Sequence, residues 1–260
     1  MSVMEEIKHF TVPKGKVGVW WLGQNGFIFK TPEGTLCSID LYLTNSVPEL
    51  LPNLPVNLNR MLPIFVNPED LETDIYACTH SHFDHADPVT IRNLRNKDTI
   101  QFVGPSLTCR QYEFYGIDSS RIMPIWPQGE VSYRDVRITG TFALPTDDSD
   151  LNHVGFLLTF SDRHKVYITG DTDHSELLAS VAKYSPETLI TCINGNYNNL
   201  SHWEAAEVAK WISPKVAIPC HYDMFPDNAI DPEQFNASLK IRAPKVAYCK
   251  LPHAGVHLLG

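Results

Sequence analysis

The sequence predicts an α/β protein in which two mixed β-sheets pack face to face and carry helices on their outer sides. Three observations predict it. Short β-rich runs broken by turn residues come first, strand and helix signals alternate after Asp74, and 43% of the 260 residues are hydrophobic with no Gly/Ser-rich or charged linker between them. A meander followed by β/α units is the order expected of stacked sheets with helices outside. A chain of this length can bury a sizeable core, so residues 1–260 are read as one domain.

The elements follow in order. Residues 17–22, 27–29 and 36–39 form an antiparallel meander, turned by Gly23, Gly26 and Pro32-Glu33-Gly34. Across residues 41–71, Pro48, Pro52, Pro55, Pro63 and Pro68 oppose both helix and central strand, which predicts a long ordered loop placed as a lid. Strand 75–79, a helix from about Pro88, strand 99–103 and a helix over 108–115 come next. Strands 131–133, 136–144, 154–160 and 166–169 precede a helix near 175–184, strand 188–193, helix 201–212 and strand 216–219. Ser201-His202-Trp203-Glu204 has the spacing of a capping box. The loop 194–200 before it would then offer backbone N–H groups to an anion.

Net charge bounds the partners. At −9 the surface does not attract phosphate backbones, so nucleic acid is disfavoured and a small-molecule substrate is expected. The six cysteines are scattered without a C-x-x-C pair and read as free thiols, with Cys220, beside His221, the one to watch. An acidic N-terminus without a signal-like apolar region, and no apolar run long enough to span a bilayer, lead to the expectation of a soluble cytoplasmic protein without a membrane partner.

The chemistry gathers at Thr79-His80-Ser81-His82-Phe83-Asp84-His85, directly after the apolar run 74–78. Three imidazoles and a carboxylate where a strand gives way to a loop suit a borderline divalent metal, zinc or, with more oxygen ligands, manganese. Ligands from distant strands are also needed. Asp171 in Ile168-Thr169-Gly170-Asp171-Thr172 and His221 in Ile218-Pro219-Cys220-His221 both stand at strand ends.

The chain resembles the metallo-β-lactamase superfamily and, within it, the L-ascorbate-6-phosphate lactonase family. The resemblance runs from Trp20-Trp21-Leu22-Gly23-Gln24-Asn25-Gly26-Phe27 through the histidine cluster and Gly170-Asp171-Thr172 to Pro219-Cys220-His221-Tyr222-Asp223. It implies an αββα sandwich with one or two divalent metal ions at an edge of the paired sheets. By position it implies His80 and His82 on one metal, Asp84, His85 and His221 on a second, Asp171 bridging, and Asp40 orienting the cluster from behind. The superfamily usually has a further histidine before the bridging aspartate. Here the chain reads Thr146-Asp147-Asp148-Ser149-Asp150, and Asp148 is assigned to that corner, with Asp147 and His153 as alternatives. The family's Asn-Pro-Arg-Gly is replaced by Gly195-Asn196-Tyr197-Asn198-Asn199, which removes an arginine and places a phosphorylated substrate in question. Arg60 is the compensating candidate.

The resulting expectation is a metal-dependent hydrolase of a lactone or ester of a small sugar acid. Asp84, His85 and Asp171 serve water activation and proton transfer, and Asn196, Tyr197, His202, His174 and Arg60 are the substrate-contact candidates. A small-molecule phosphodiesterase uses the same centre, and a non-catalytic metal-binding or regulatory protein keeps the fold without turnover. Oligomeric state is not written in the sequence, although members of the family often form homo-oligomers.

Overall fold

Alternation along the first strand sets the architecture. In β1 (Val17–Trp21), Val17, Val19 and Trp21 point into one apolar cluster while Trp20 points into another, so both faces of the strand are covered. The computed structural model describes residues 1–161 and 164–260 and forms two seven-stranded sheets. The first runs β14-β1-β2-β3-β4-β5-β6, with β2 (Phe27–Lys30), β3 (Leu36–Ile39), β4 (Ile75–Ala77), β5 (Gln101–Gly104), β6 (Ile122–Pro124) and β14 (Val256–Leu259). The second runs β13-β12-β11-β10-β9-β8-β7. Its strands are β7 (Glu130–Tyr133), β8 (Val136–Phe142), β9 (Val154–Phe160), β10 (His164–Ile168), β11 (Thr188–Cys192), β12 (Val216–Cys220) and β13 (Ala247–Tyr248).

The inner faces meet through aromatic side chains, with the rings of Phe29 and Phe160 5.4 Å apart between the sheets. Outside the first sheet lie α1 (Val3–His9), α3 (Pro88–Asn93) and α4 (Ser106–Phe114), which bury Ile7, Ile91 and Tyr112 against it. Outside the second lie a 3₁₀ helix (Glu176–Tyr184), α5 (His202–Ile212) and α6 (Glu233–Arg242). The arrangement is the αββα sandwich of the sequence reading. The capping box of α5 forms as expected, with Ser201 accepting from the Glu204 N–H and Glu204 accepting from the Ser201 N–H. Helix 175–184 is wound as 3₁₀, and α1, α6, β6, β13 and β14 are elements the pattern did not reveal.

Strand direction positions the site. Strands β3 to β6 run parallel, as do β10 to β13, and the carboxyl ends of both parallel sets emerge at the same edge. That edge is where open α/β sheets place their ligands. The proline-rich segment is mostly irregular, with one short helix, α2 (Val47–Leu50), and a 3₁₀ turn at Pro68–Asp70. No helix among the described residues is long and apolar enough to cross a membrane.

Candidate metal centre

Five strand ends deliver the site. Asp40 follows β3, the histidine cluster follows β4, Asp171 follows β10, the loop with Asn199 follows β11 and His221 follows β12. The two sheets nearly touch here. Gly170, at φ +63°, leaves no room for a Cβ, which would lie 2.9 Å from the Thr79 side chain. Gln24, Asp40 and His221 also hold left-handed backbones, at φ 54°, 47° and 59°. Each such residue costs on the order of 1–3 kcal/mol and persists only where its surroundings impose it.

The cluster folds into a turn closed by the N–H groups of His85 and Ala86 donating to the His82 carbonyl. Behind it, buried Asp40 accepts from Asn25 Nδ2 (2.5 Å), the Thr79 N–H (2.7 Å) and the Thr79 hydroxyl (2.6 Å), and pairs with His85 Nδ1 at 2.9 Å. Two more rings are anchored in the same way. His80 Nδ1 lies 3.0 Å from Thr79 Oγ1, and His153 Nδ1 lies 3.0 Å from the Asp171 carbonyl. The opposite nitrogens, Nε2 of His80, His85 and His153, are buried without a hydrogen-bond partner, as is Asp171 Oδ1. Imidazoles fixed at one nitrogen with the other bare are what a metal ligand set requires. Among the described residues, three groups have ligand atoms within 4.8 Å of one another: His80, His82 and His153; His80, His85 and Asp171; Asp84, His85 and His221.

The two sides of the centre differ in charge. Burial, together with the neighbouring imidazoles, pushes the pKa of His80 well down, and burial lowers that of His153, so both stay neutral and able to bind metal. On the other side burial favours the neutral forms, but the carboxylates and imidazoles overrule it. Asp171 and Asp84 lift His221 to about 9 and His85 well above its usual range, while those imidazoles hold Asp171 and Asp84 ionised. His85 Nε2 lies 3.3 Å from Asp171 Oδ1, and His221 Nε2 lies 3.2 Å from Asp171 Oδ2.

One assignment is corrected here. Asp148 is not brought to the three-imidazole corner; His153 is. The turn before β9 is fixed by Asp150, which accepts from the N–H groups of Ser81 (2.9 Å) and Asn152 (2.7 Å), and by Asp147, which accepts from Ser149. That leaves Asp148 exposed at the tip and swings His153 to 4.1 Å from the His80 ring, centroid to centroid. Asp147, the other alternative, lies 3.5 Å from His82 Nε2 at the rim.

The substrate-contact candidates divide. Tyr197 lines the cavity above the centre; Asn196, His202, His174 and Arg60 do not. Asn196 is exposed and reaches the Asp227 carbonyl; His202 pairs with Ser238 on α6 at 2.8 Å; His174 packs on Trp211, its rings 5.4 Å apart. Arg60 donates to the carbonyls of Leu22, Tyr42, Thr44, Leu62 and Pro63, so its guanidinium straps the proline-rich segment together instead of facing a ligand. The anion site expected before α5 is filled by the chain itself, since the Glu204 carboxylate already sits at that helix end. Cys220 is a buried thiol that donates to Asn25 Oδ1, and burial raises its pKa, which makes it inert. All six cysteines are free.

Two residues escaped the sequence reading. Gln24 Nε2 donates to Asp84 Oδ2 at 2.6 Å and lies 2.8 Å from His221 Nε2, and Asn199 Nδ2 donates to Asp171 Oδ2 at 2.8 Å. Gln24 sits inside the quoted Trp-Leu-Gly-Gln-Asn-Gly stretch, but a lone amide carries no metal signature. Above the centre opens a cavity of about 480 Å³, within the ~300–1,000 Å³ range usual for small-molecule sites. His82, Asp84, Asp171, Asn199 and His221 form its floor.

Comparison with known proteins gives the family and the fold. The model of the β-lactamase superfamily domain matches residues 18–221, and the chain belongs to the metallo-β-lactamase superfamily. It is 28% identical over 251 residues to a metal-dependent hydrolase of Anaeromyxobacter dehalogenans, covering 88% of this chain and 83% of that one. It is 23% identical over 292 residues to a probable L-ascorbate-6-phosphate lactonase of Salmonella heidelberg, covering 94% and 80%. Among solved structures, a metallo hydrolase from the archaeon Ignicoccus hospitalis superposes with a TM-score of 0.74 at 21% identity, covering 94% of this chain and 99% of that one.

Proposed function

We propose that this protein, a metal-dependent hydrolase of its superfamily, opens the acyl–oxygen bond of a small lactone or ester, with one or two divalent ions, zinc or manganese, as cofactor. The observation that carries the reading is the ring of buried ligand atoms around Asp171, with His80 and His153 Nε2 lacking any hydrogen-bond partner and His85 Nε2 facing only carboxylates, at the floor of a cavity of small-molecule size. His80, His82 and His153 would hold one ion, Asp84, His85 and His221 a second, with Asp171 between them. Bound there, a divalent cation supplies Lewis acidity, making water acidic near neutral pH and polarising the carbonyl under attack.

The chain's own groups do the rest. Asp84 is ionised, 20% exposed and on the cavity floor, so it can take the proton of the attacking water and return it to the departing alkoxide. Gln24 fixes one Asp84 oxygen by its hydrogen bond, which leaves the other for the water. Asn199 does the same for Asp171, and Asp40 holds the His85 ring in its productive orientation. Tyr197 at the mouth is the substrate-contact candidate that remains.

The lactonase name of the Salmonella relative supports a lactone as the substrate type. The phosphate in that name has no counterpart here, because no Lys or Arg among the described residues lines the cavity. An uncharged substrate is therefore favoured over a phosphorylated one, and the same absence weighs against a phosphodiester. The test is turnover by the metal-loaded protein of neutral lactones and esters beside phosphodiesters, with and without chelator. Hydrolysis of the first set, abolished by chelation and restored by metal, is expected; full activity of verified metal-free protein, or turnover of phosphodiesters alone, would sink the proposal.

A further inference from the structure

We infer that the substrate carries an apolar arm, an aliphatic or aromatic chain several carbons long, which lies against a wall built by the proline-rich segment while its carbonyl faces Asp84 and Asp171. This rests on the hydrolase reading for the reacting end and on independent features for the arm. The cavity is two-sided. Opposite the floor, Val47, Leu51, Leu54, Val56, Leu58 and Phe225 present an apolar surface.

Leu51 and Leu54 are 37% and 48% exposed, although a mobile segment could turn such side chains inward. This segment is held instead. Asp87, which caps α3, accepts from the hydroxyls of Thr44 (2.6 Å) and Ser46 (2.8 Å). The Asn57 N–H donates to Asp227 at 2.6 Å, the Met61 N–H to the Met224 carbonyl at 2.8 Å, and Arg60 straps five carbonyls. A contiguous apolar surface kept facing a water-filled space is unfavourable until something covers it, and its continuity with the metal-ligand floor points to the substrate as the cover.

Charge selects the same occupant. The rim bears Asp147 and no Lys or Arg among the described residues lines the cavity, so a phosphate or a second carboxylate on the arm, away from the floor, would find no cationic side chain to pair with. A neutral hydrocarbon arm meets none.

The experiment has two arms on metal-loaded protein. Hydrolysis of p-nitrophenyl acetate, butyrate, hexanoate and octanoate should show kcat/KM rising by up to about fourfold per added methylene while the arm stays within the cavity. Titration calorimetry with butyrate, hexanoate and octanoate, which needs no turnover, should show affinity rising in the same order. In the double variant L51D/L54D, whose positions are exposed and do not threaten folding, both chain-length slopes should flatten. Equal affinity for all three acids, or tighter binding of 6-phosphogluconate than of octanoate, would overturn the inference even if esters are hydrolysed. If no ester or lactone is turned over yet the binding slope appears and is lost in the variant, the apolar subsite stands and the hydrolase reading fails.

Discussion

The floor and the wall of the cavity are built on opposite principles. The floor is made of strand ends whose ligand-type atoms converge in three overlapping groups; the wall is an irregular segment whose apolar side chains face open space. The floor's order comes from two sheets whose parallel strands end together, so its geometry is as rigid as the core beneath it. The wall owes its order to a few straps of hydrogen bonds over a segment with almost no regular structure. The contrast teaches that reaction and selectivity reside in separate parts of the chain and should respond to different substitutions.

The sharpest break is at the floor. D171A, which removes the carboxylate facing His85 and His221, should lower kcat/KM by about a thousandfold or more, matching the effect of chelation, with circular dichroism unchanged. Next comes the corner occupied by His153. H153A should lose metal affinity by roughly 10–100-fold, read by metal titration, whereas D148A should bind metal like the parent; the reverse result would restore Asp148 to the site. Q24A frees Asp84 from its amide partner and should cost about tenfold in kcat with KM little changed, an orienting effect that Q24E would not rescue because a carboxylate cannot donate to Asp84. The smallest effect belongs to the wall. R60M leaves five carbonyls without their donor and should destabilise the fold by roughly 1–3 kcal/mol, lowering the thermal midpoint by several degrees and blunting chain-length preference more than hydrolysis of an acetate ester.

The same division explains what could be read from the sequence. The strands were legible because they are short and apolar on both faces, as in 154–160, where every residue is buried. The cluster at 80–85 was legible because ligand types were crowded at a strand end, and α5 because its capping box is a local signal. Helix α6 was not, since Phe235 and Leu239 are its only buried large apolar residues and Ile241 faces outward. The choice among Asp148, Asp147 and His153 is not legible in the sequence, because the direction of the 147–150 turn depends on Asp150 reaching the Ser81 N–H, a contact across 69 positions that no local pattern encodes. Arg60 misled for a similar reason. A cation near a site looks like a ligand contact until the carbonyls it satisfies are seen.

The pairing of β1 with β14 bears on how the chain comes to be folded. Val17 lies opposite Leu259, so β1 gains one of its two neighbours only once the distant β14 has been made. Until then its outer edge is an open template for pairing with another copy, and closing it joins residues separated by nearly the whole chain, the kind of contact that slows folding. A strand covered on both faces is thus left with an open edge until β14 arrives, and β14 acts as its stopper.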